Sequence, residues 1–251
     1  MNLSPTHTLK TIAQHQTKRR RPATTALVLM LTALAANATP ITVPNASFES
    51  PSSPVESSTN STLISGWVFN VKGGSVFGTE SIASSFASAG TSSGNNCAFI
   101  NNDDPGVTDT ITSAASLGTI TGLTTYTLTL AIGNPTGTGL YHDPGNVSFS
   151  LLANGVAFAT KTVNNGTVSD GTFQDFTLTY TTPSSGSLVG ENLEIQMATL
   201  PETGSAYQPG FDNVRLSATT TMPVPEPQTW ELALIALGAL AFCLFRHRQI
   251  R

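Results

Sequence analysis

From Thr39 to Met222 no stretch returns apolar residues at the three-to-four-residue period of a helix. Short runs rich in Thr, Val, Phe and Tyr recur instead, broken by Gly, Asn and Pro. The candidate strands are residues 46–50, 66–71, 96–101, 125–133, 146–153, 156–163, 173–182, 192–199 and 211–219. In "SLLANGVAF" the pair Asn154-Gly155 separates two such runs, and both residues tolerate the positive φ of a two-residue hairpin turn. In "FTLTYTT" strict alternation places Phe176, Leu178 and Tyr180 on one face and Thr177, Thr179 and Thr181 on the other, the pattern of a half-buried antiparallel strand. Nine short strands with close turn signals predict an all-β fold, an antiparallel jelly-roll β-sandwich over residues 39–219. "SSPVESSTNST" reads as a polar loop after the first strand. Residues 220–229 read as a Thr/Pro-rich stalk.

Both ends differ from this middle. Lys18-Arg19-Arg20-Arg21 precedes the apolar run Ala26 to Ala35, and small residues follow at Ala36 and Ala38. That is the layout of a signal peptide, residues 1–38, cut by signal peptidase after Ala38. An uncleaved anchor is the alternative, but ten apolar residues fall short of the roughly 20 that span a bilayer. At the other end, fourteen uncharged residues run from Leu232 to Phe245, about 21 Å as a helix against a hydrocarbon core of about 30 Å. Trp230 suits the outer interface, and Arg246, His247 and Arg248 follow at once. Residues 230–251 are therefore expected to form a short transmembrane helix with a basic tail. Cationic flanks favour the cytoplasmic side, so Arg246 and Arg248 agree with Lys18 to Arg21 on a topology with the β domain outside.

The domain itself carries three cations, Lys72, Lys161 and Arg215, against thirteen acids. So few cations exclude a nucleic-acid partner. Cys97 and Cys243 lie in different segments and form no disulfide framework. Cys97 reads as a small buried residue.

Pro225-Glu226-Pro227, the apolar run and the Arg-rich end stand in the order of the PEP-CTERM sorting signal of Gram-negative bacteria, which residues 224–251 closely resemble. The resemblance implies an exosortase-type transpeptidase as partner. It also implies an inner-membrane-held intermediate, removal of the tail, and delivery to the cell surface or extracellular matrix of exopolysaccharide-producing, biofilm-forming bacteria. Glu231 and His247 depart from that pattern, and an ordinary permanent anchor is the alternative. "LPETG" at residues 200–204 matches the sortase motif of Gram-positive wall proteins, yet 25 residues separate it from Trp230. They include "FDNVRLSA", which reads as the final strand of the sandwich, so "LPETG" reads as a turn.

"NASFES" at residues 45–50 and "FDNVRLSA" at 211–218 are similar to the flanking motifs of galactose-binding-like jelly rolls, a group with many carbohydrate-binding modules. The resemblance implies that the terminal strands meet and hold a structural Ca²⁺. The matching positions are Glu49 and Asp212, whose carboxylates suit that hard cation. A second acidic loop, "NNDDPGVTD" at 101–109, lacks EF-hand spacing and reads as solvated.

No catalytic constellation appears. His142 beside Asp143 has no nucleophile-elbow serine with it, and adjacent residues rarely reach triad geometry. Two function classes follow. The first is a non-enzymatic surface or matrix protein that binds exopolysaccharide. Among Trp67, Phe69, Tyr126, Tyr141 and Tyr207, the loop residues Tyr141 and Tyr207 are the sugar-stacking candidates. The second is an exported glycoside hydrolase-like enzyme, which needs two carboxyl groups facing each other about 5–9 Å apart.

Overall fold

A computed structural model describes residues 37–104, 106–137, 142–202, 206–221 and 229–248. Its strands are β1 (Thr39–Ile41), β2 (Val55–Ser57), β3 (Trp67–Asn70), β4 (Val76–Ser81), β5 (Asn96–Asn101), β6 (Thr110–Ser113), β7 (Thr124–Asn134), β8 (Val147–Ala153), β9 (Val156–Val163), β10 (Thr172–Thr181), β11 (Leu193–Thr199) and β12 (Gly210–Thr220). Two helices complete it, α1 (Ile82–Ser85) and α2 (Thr229–Arg248). Two antiparallel sheets face each other as the alternating runs predict. One runs β10-β7-β12-β5-β4-β2, with β1 also paired to β12, and the other runs β3-β6-β11-β8-β9.

The two-residue turn forms where it was expected. Asn154 (φ 47°) and Gly155 (φ 77°) both take positive φ and join β8 to β9. In β10, Phe176, Leu178 and Tyr180 pack on the core while Thr177, Thr179 and Thr181 stay exposed. Two of those threonines meet their partners on β7 hydroxyl to hydroxyl, Thr181 with Thr125 at 2.8 Å and Thr177 with Thr129 at 2.9 Å. Such cross-strand pairs stabilise the outer face modestly.

The core between the sheets is built on Trp67, Phe69, Phe77, Phe149 and Phe211, with Ile100, Ile111, Leu128, Leu130 and Ile195 around them. A second, smaller cluster joins Ile82, Phe86, Cys97, Ala131 and Phe173. Ala98 and Ile100 of β5 and Leu130 and Ile132 of β7 face the main core, so their neighbours Cys97 and Ala131 point to the outer face of the seven-stranded sheet. There Phe86 and Phe173 close on one another at 4.3 Å between ring centroids. They come so near the strands that a Cβ at Gly210 would lie 2.9 Å from the Phe86 ring, and one at Gly133 would meet both rings. Glycine at these positions lets the rings sit on the bare backbone.

Several expectations are corrected. Residues 46–50 are not a strand. Asn45 (φ 48°) and Phe48 (φ 54°) turn the chain, and the Asn45 amide donates to Ser50 and Ser65 carbonyls at 2.8 and 3.0 Å. Side-chain bonds of this kind compete with a ladder. The presumed polar loop after it contains β2, and β1, β4, β6 and the single-turn α1 had no strong pattern. The tail is helical over Thr229–Arg248, with Ile235, Leu237, Leu240, Phe242 and Phe245 exposed. Among the described residues, however, no helix is long and apolar enough to cross a membrane. Of the short transmembrane helix expected at 230–251, the structure gives the helix, over Thr229–Arg248.

Trp67 ties the turn at 45–48 to β3. Its indole N–H donates to the Asn45 carbonyl at 3.1 Å, and its ring lies 5.2 Å from that of Phe48. Trp67→Ala is expected to lower unfolding stability by roughly 3–5 kcal/mol, read from denaturant unfolding. A loss under about 1 kcal/mol would contradict this placement.

Candidate functional site

The two ends of the sandwich meet on its outer side. Within β12 the register to β7 shifts between Asp212 and Arg215. At this bulge Asn213 takes positive φ (48°), and the Val214 N–H donates to the Ala46 carbonyl at 2.9 Å instead of to a neighbouring strand. Asp212, the last residue before the bulge, still pairs with Ala131 and so lies on the outer face, beside the turn that carries Glu49. A loop before β5 closes over both carboxyl groups. The Ser93 N–H donates to Asp212 Oδ2 at 2.5 Å, and the Asn95 and Asn96 N–H groups donate to Glu49 Oε1 at 2.8 Å each. The Asn213 side-chain amide holds the same loop through the Thr91 carbonyl at 2.8 Å. Gly94 (φ 86°) packs so closely on Glu49 that a Cβ there would collide with the carboxylate.

The electrostatics of this junction are unfavourable without a further partner. Asp212 is fully buried, and its Oδ1 has no hydrogen-bond partner. Burial raises its pKa to about 7, and the nearby Glu49 charge pushes the same way against the Ser93 and Asn213 N–H groups. An orphaned buried oxygen beside a second carboxylate fits a cation that takes oxygen ligands. Among the described residues no group of three or more His, Cys, Asp or Glu side chains could hold a metal, so further donors to such a cation would be backbone carbonyls or water.

The row continues across the sheet. Glu80 of β4 stands opposite Cys97 of β5. Gln208 donates to Glu80 Oε1 at 2.8 Å, and the Cys97 thiol donates to the same oxygen at 3.8 Å. Burial raises the Glu80 pKa, and Ser85, Gln208 and Cys97 oppose it by hydrogen bonding. Cys97 is buried, as expected from its sequence, and burial, then the charges of Glu80 and Asp212, lift its thiol well above the usual range. A poor thiolate former is a poor nucleophile. Beside Glu80 a cleft of about 520 Å³ opens against β2 and β5.

The other expected residues fall differently. Tyr207 is not a sugar platform. It is 1% exposed, its hydroxyl donates to the Leu200 carbonyl, and the Asn102 amide donates to that hydroxyl at 3.2 Å. Burial raises its pKa to about 12. Trp67, Phe69 and Tyr126 are core residues. Tyr141, Ala36 and Pro225-Glu226-Pro227 lie outside the described residues; Ala38 and Arg246 are exposed, and Arg248 ends α2. The loop 101–109 is not simply solvated, because Asp109 is fully buried and accepts the Lys72 N–H at 2.7 Å. Asp143 accepts from Gly145 N–H at 2.8 Å and from the Asn165 amide at 2.9 Å. It is therefore a loop-closing group. β12, the strand that a cut in "LPETG" would remove, lies inside the seven-stranded sheet between β7 and β5.

Residues 39–217 match the family described as HpiC1 cyclase, and residues 223–249 match the PEP-CTERM protein-sorting motif. A cyclase from Fischerella sp. TAU is similar in structure, with a TM-score of 0.60 at 23% identity over 74% of this chain and 100% of that one. The same organism's cyclase in complex with 4-(1H-indol-3-yl)butan-2-one gives 0.61 at 22% identity, over the same shares. At that identity the likeness speaks for the fold. No curated protein matches the chain. The β-sandwich with joined terminal strands, the match over 39–217 and the sorting motif together make the chain an exported member of the HpiC1-like cyclase family that carries a PEP-CTERM signal for the cell surface.

Proposed function

We propose that the chain is a non-enzymatic surface or matrix protein that binds exopolysaccharide, with its sandwich fastened by Ca²⁺ between Glu49 and Asp212. The PEP-CTERM match is the observation that carries the surface role. On this reading the leader through Ala38 is removed by signal peptidase. The exposed apolar side chains of α2 engage the inner membrane briefly, and an exosortase cuts near Pro225-Glu226-Pro227. A short apolar run with Arg246 and Arg248 behind it suits a pause at the membrane better than a permanent anchor. Tyr141 is retained as a stacking residue.

Family membership favours a second reading, in which the domain is an enzyme. A buried carboxyl group that keeps its proton to about pH 7 is suited to general-acid work. The two roles of Asp212 exclude one another, since a bound Ca²⁺ holds the carboxylate ionised and leaves no proton to donate. Binding is favoured because Asp212 lies beneath the loop carrying Ser93, with no solvent-exposed surface. A proton donor must reach its substrate.

Intact mass of the protein from washed cells and medium tests the sorting. The expected product begins at Thr39 and ends within residues 225–228. A membrane-bound product that retains Arg251 would overturn the sorting reading. Calcium is tested by thermal unfolding. Asp212 has its folded pKa raised from 3.8 to about 7, so the fold takes up a proton that the unfolded chain does not hold between these values. In chelator, stability is expected to fall as pH rises from about 4 to about 7 and then level off, by up to about 4 kcal/mol from this group. Glu80 and Asp109, both raised by burial, add in the same direction. Millimolar Ca²⁺ is expected to raise the melting temperature most at pH 7 and above. Asp212→Asn should reduce both the slope and the calcium effect; an unchanged melting temperature on adding Ca²⁺ at pH 8 would exclude the site.

A further inference from the structure

The cleft beside Glu80 has a chemistry of its own. It lies on the outer face of the seven-stranded sheet where β2, β4 and β5 run together, and its volume is about 520 Å³. Phe99 and Asn101 line it from β5, Glu80 from β4, Val55 and Glu56 from β2, and Gln208 from the segment before β12. Gly78 makes the cleft possible. A Cβ there would strike the Val55 carbonyl oxygen, so only glycine lets β2 lie this close to β4.

The charged groups of the cleft are the carboxylates of Glu80 and Glu56, with the hydroxyls of Thr79, Ser81 and Ser84 and the amides of Asn101 and Gln208 between them. Glu80 already receives Gln208 and Cys97 on one oxygen, and a carboxylate has lone pairs for more. Asn101 Oδ1 is buried and has no donor. Glu56 stands exposed at the rim. Among the described residues no lysine or arginine lines the cleft. Of the domain's cations, Lys161 donates to the Thr177 carbonyl at 2.9 Å, Arg215 pairs with Asp175, and Lys72 lies exposed in the turn after β3. Against these acceptors stands an apolar wall of Phe99, Val55 and Pro54. A cleft whose charged groups are both carboxylates, with one aromatic wall, is complementary to a positive N–H donor on a compact ring.

We propose that this cleft binds a protonated primary amine carried on a saccharide ring, with Glu80 pairing the ammonium group, Asn101 Oδ1 accepting a second N–H or hydroxyl, and Phe99 packing against the ring. The proposal rests on the polysaccharide-binding reading and names the residue type that such a polymer must contain.

The test is calorimetric titration of the full chain, in mild detergent with Ca²⁺, with a β-1,4-linked glucosamine tetramer and with its N-acetylated counterpart. Acetylation removes the charge and leaves the ring. The amine form is expected to bind, and the acetylated form to bind at least about tenfold more weakly. Glu80→Gln, which keeps the side chain's size, is expected to weaken the amine form by at least about tenfold in a variant that still unfolds in one cooperative transition. Glu56→Gln at the rim should cost only two- to threefold. Equal binding of the two tetramers, binding of the acetylated form alone, or an undiminished Glu80→Gln variant would overturn the amine assignment and leave polysaccharide binding standing. If neither tetramer binds, the amine assignment falls, and retardation of the protein in a gel of the native exopolysaccharide then decides the broader reading separately.

Discussion

Strand β12 is where the rest of the sandwich is joined. It receives β1 and the Ala46 turn from the front of the domain, lies between β7 and β5, and bulges at Asp212 and Asn213. Just before the bulge, the carboxyl group of Asp212 points from the outer face into a space that the loop carrying Ser93 covers. Burying that group without a full set of partners is costly. A protein that keeps such an arrangement either protonates the group or neutralises it with a cation, and either choice sets how tightly the ends of the chain are tied.

On the calcium reading proposed above, this junction would link fold and function. A domain sorted to the cell surface leaves the cytoplasm, and where calcium is at levels that fill weak extracellular sites, export would complete the fold. On the same outer face Glu80, Cys97 and Asp212 lie in neighbouring strands, and Phe86 and Phe173 press on the bare backbone of Gly133 and Gly210. Those rings fill the space beside Ala131, and toward β2 the face opens as the cleft.

Long strands with one wet face were legible in the sequence because alternation holds from Phe176 to Thr181, and because Asn154-Gly155 leaves little choice of turn. Short strands were not. Val76 to Ser81 contains a glycine that reads as a turn, yet Gly78 is there so that β2 can approach. The meeting of Glu49 and Asp212 was visible through their flanking motifs. Tyr207 was misplaced because a loop assignment says nothing of burial, and its hydroxyl in fact serves Asn102 and Leu200 inside the fold. Asp109 was missed for a related reason. Its partner is the backbone of Lys72, 37 residues away, and no local spacing signals that contact. Glu80 had no motif, and only the register of β4 on β5 brings it to the cleft.

The protonation state of Asp212 is the measurement on which this account turns. Its side-chain carboxyl carbon can be followed by ¹³C NMR across pH in chelator and again with Ca²⁺. The account predicts a titration near pH 7 without the ion and a carboxylate that stays ionised well below that pH once Ca²⁺ is present. A carboxyl group that titrates near its ordinary value in both conditions, or near 7 in both, would contradict it.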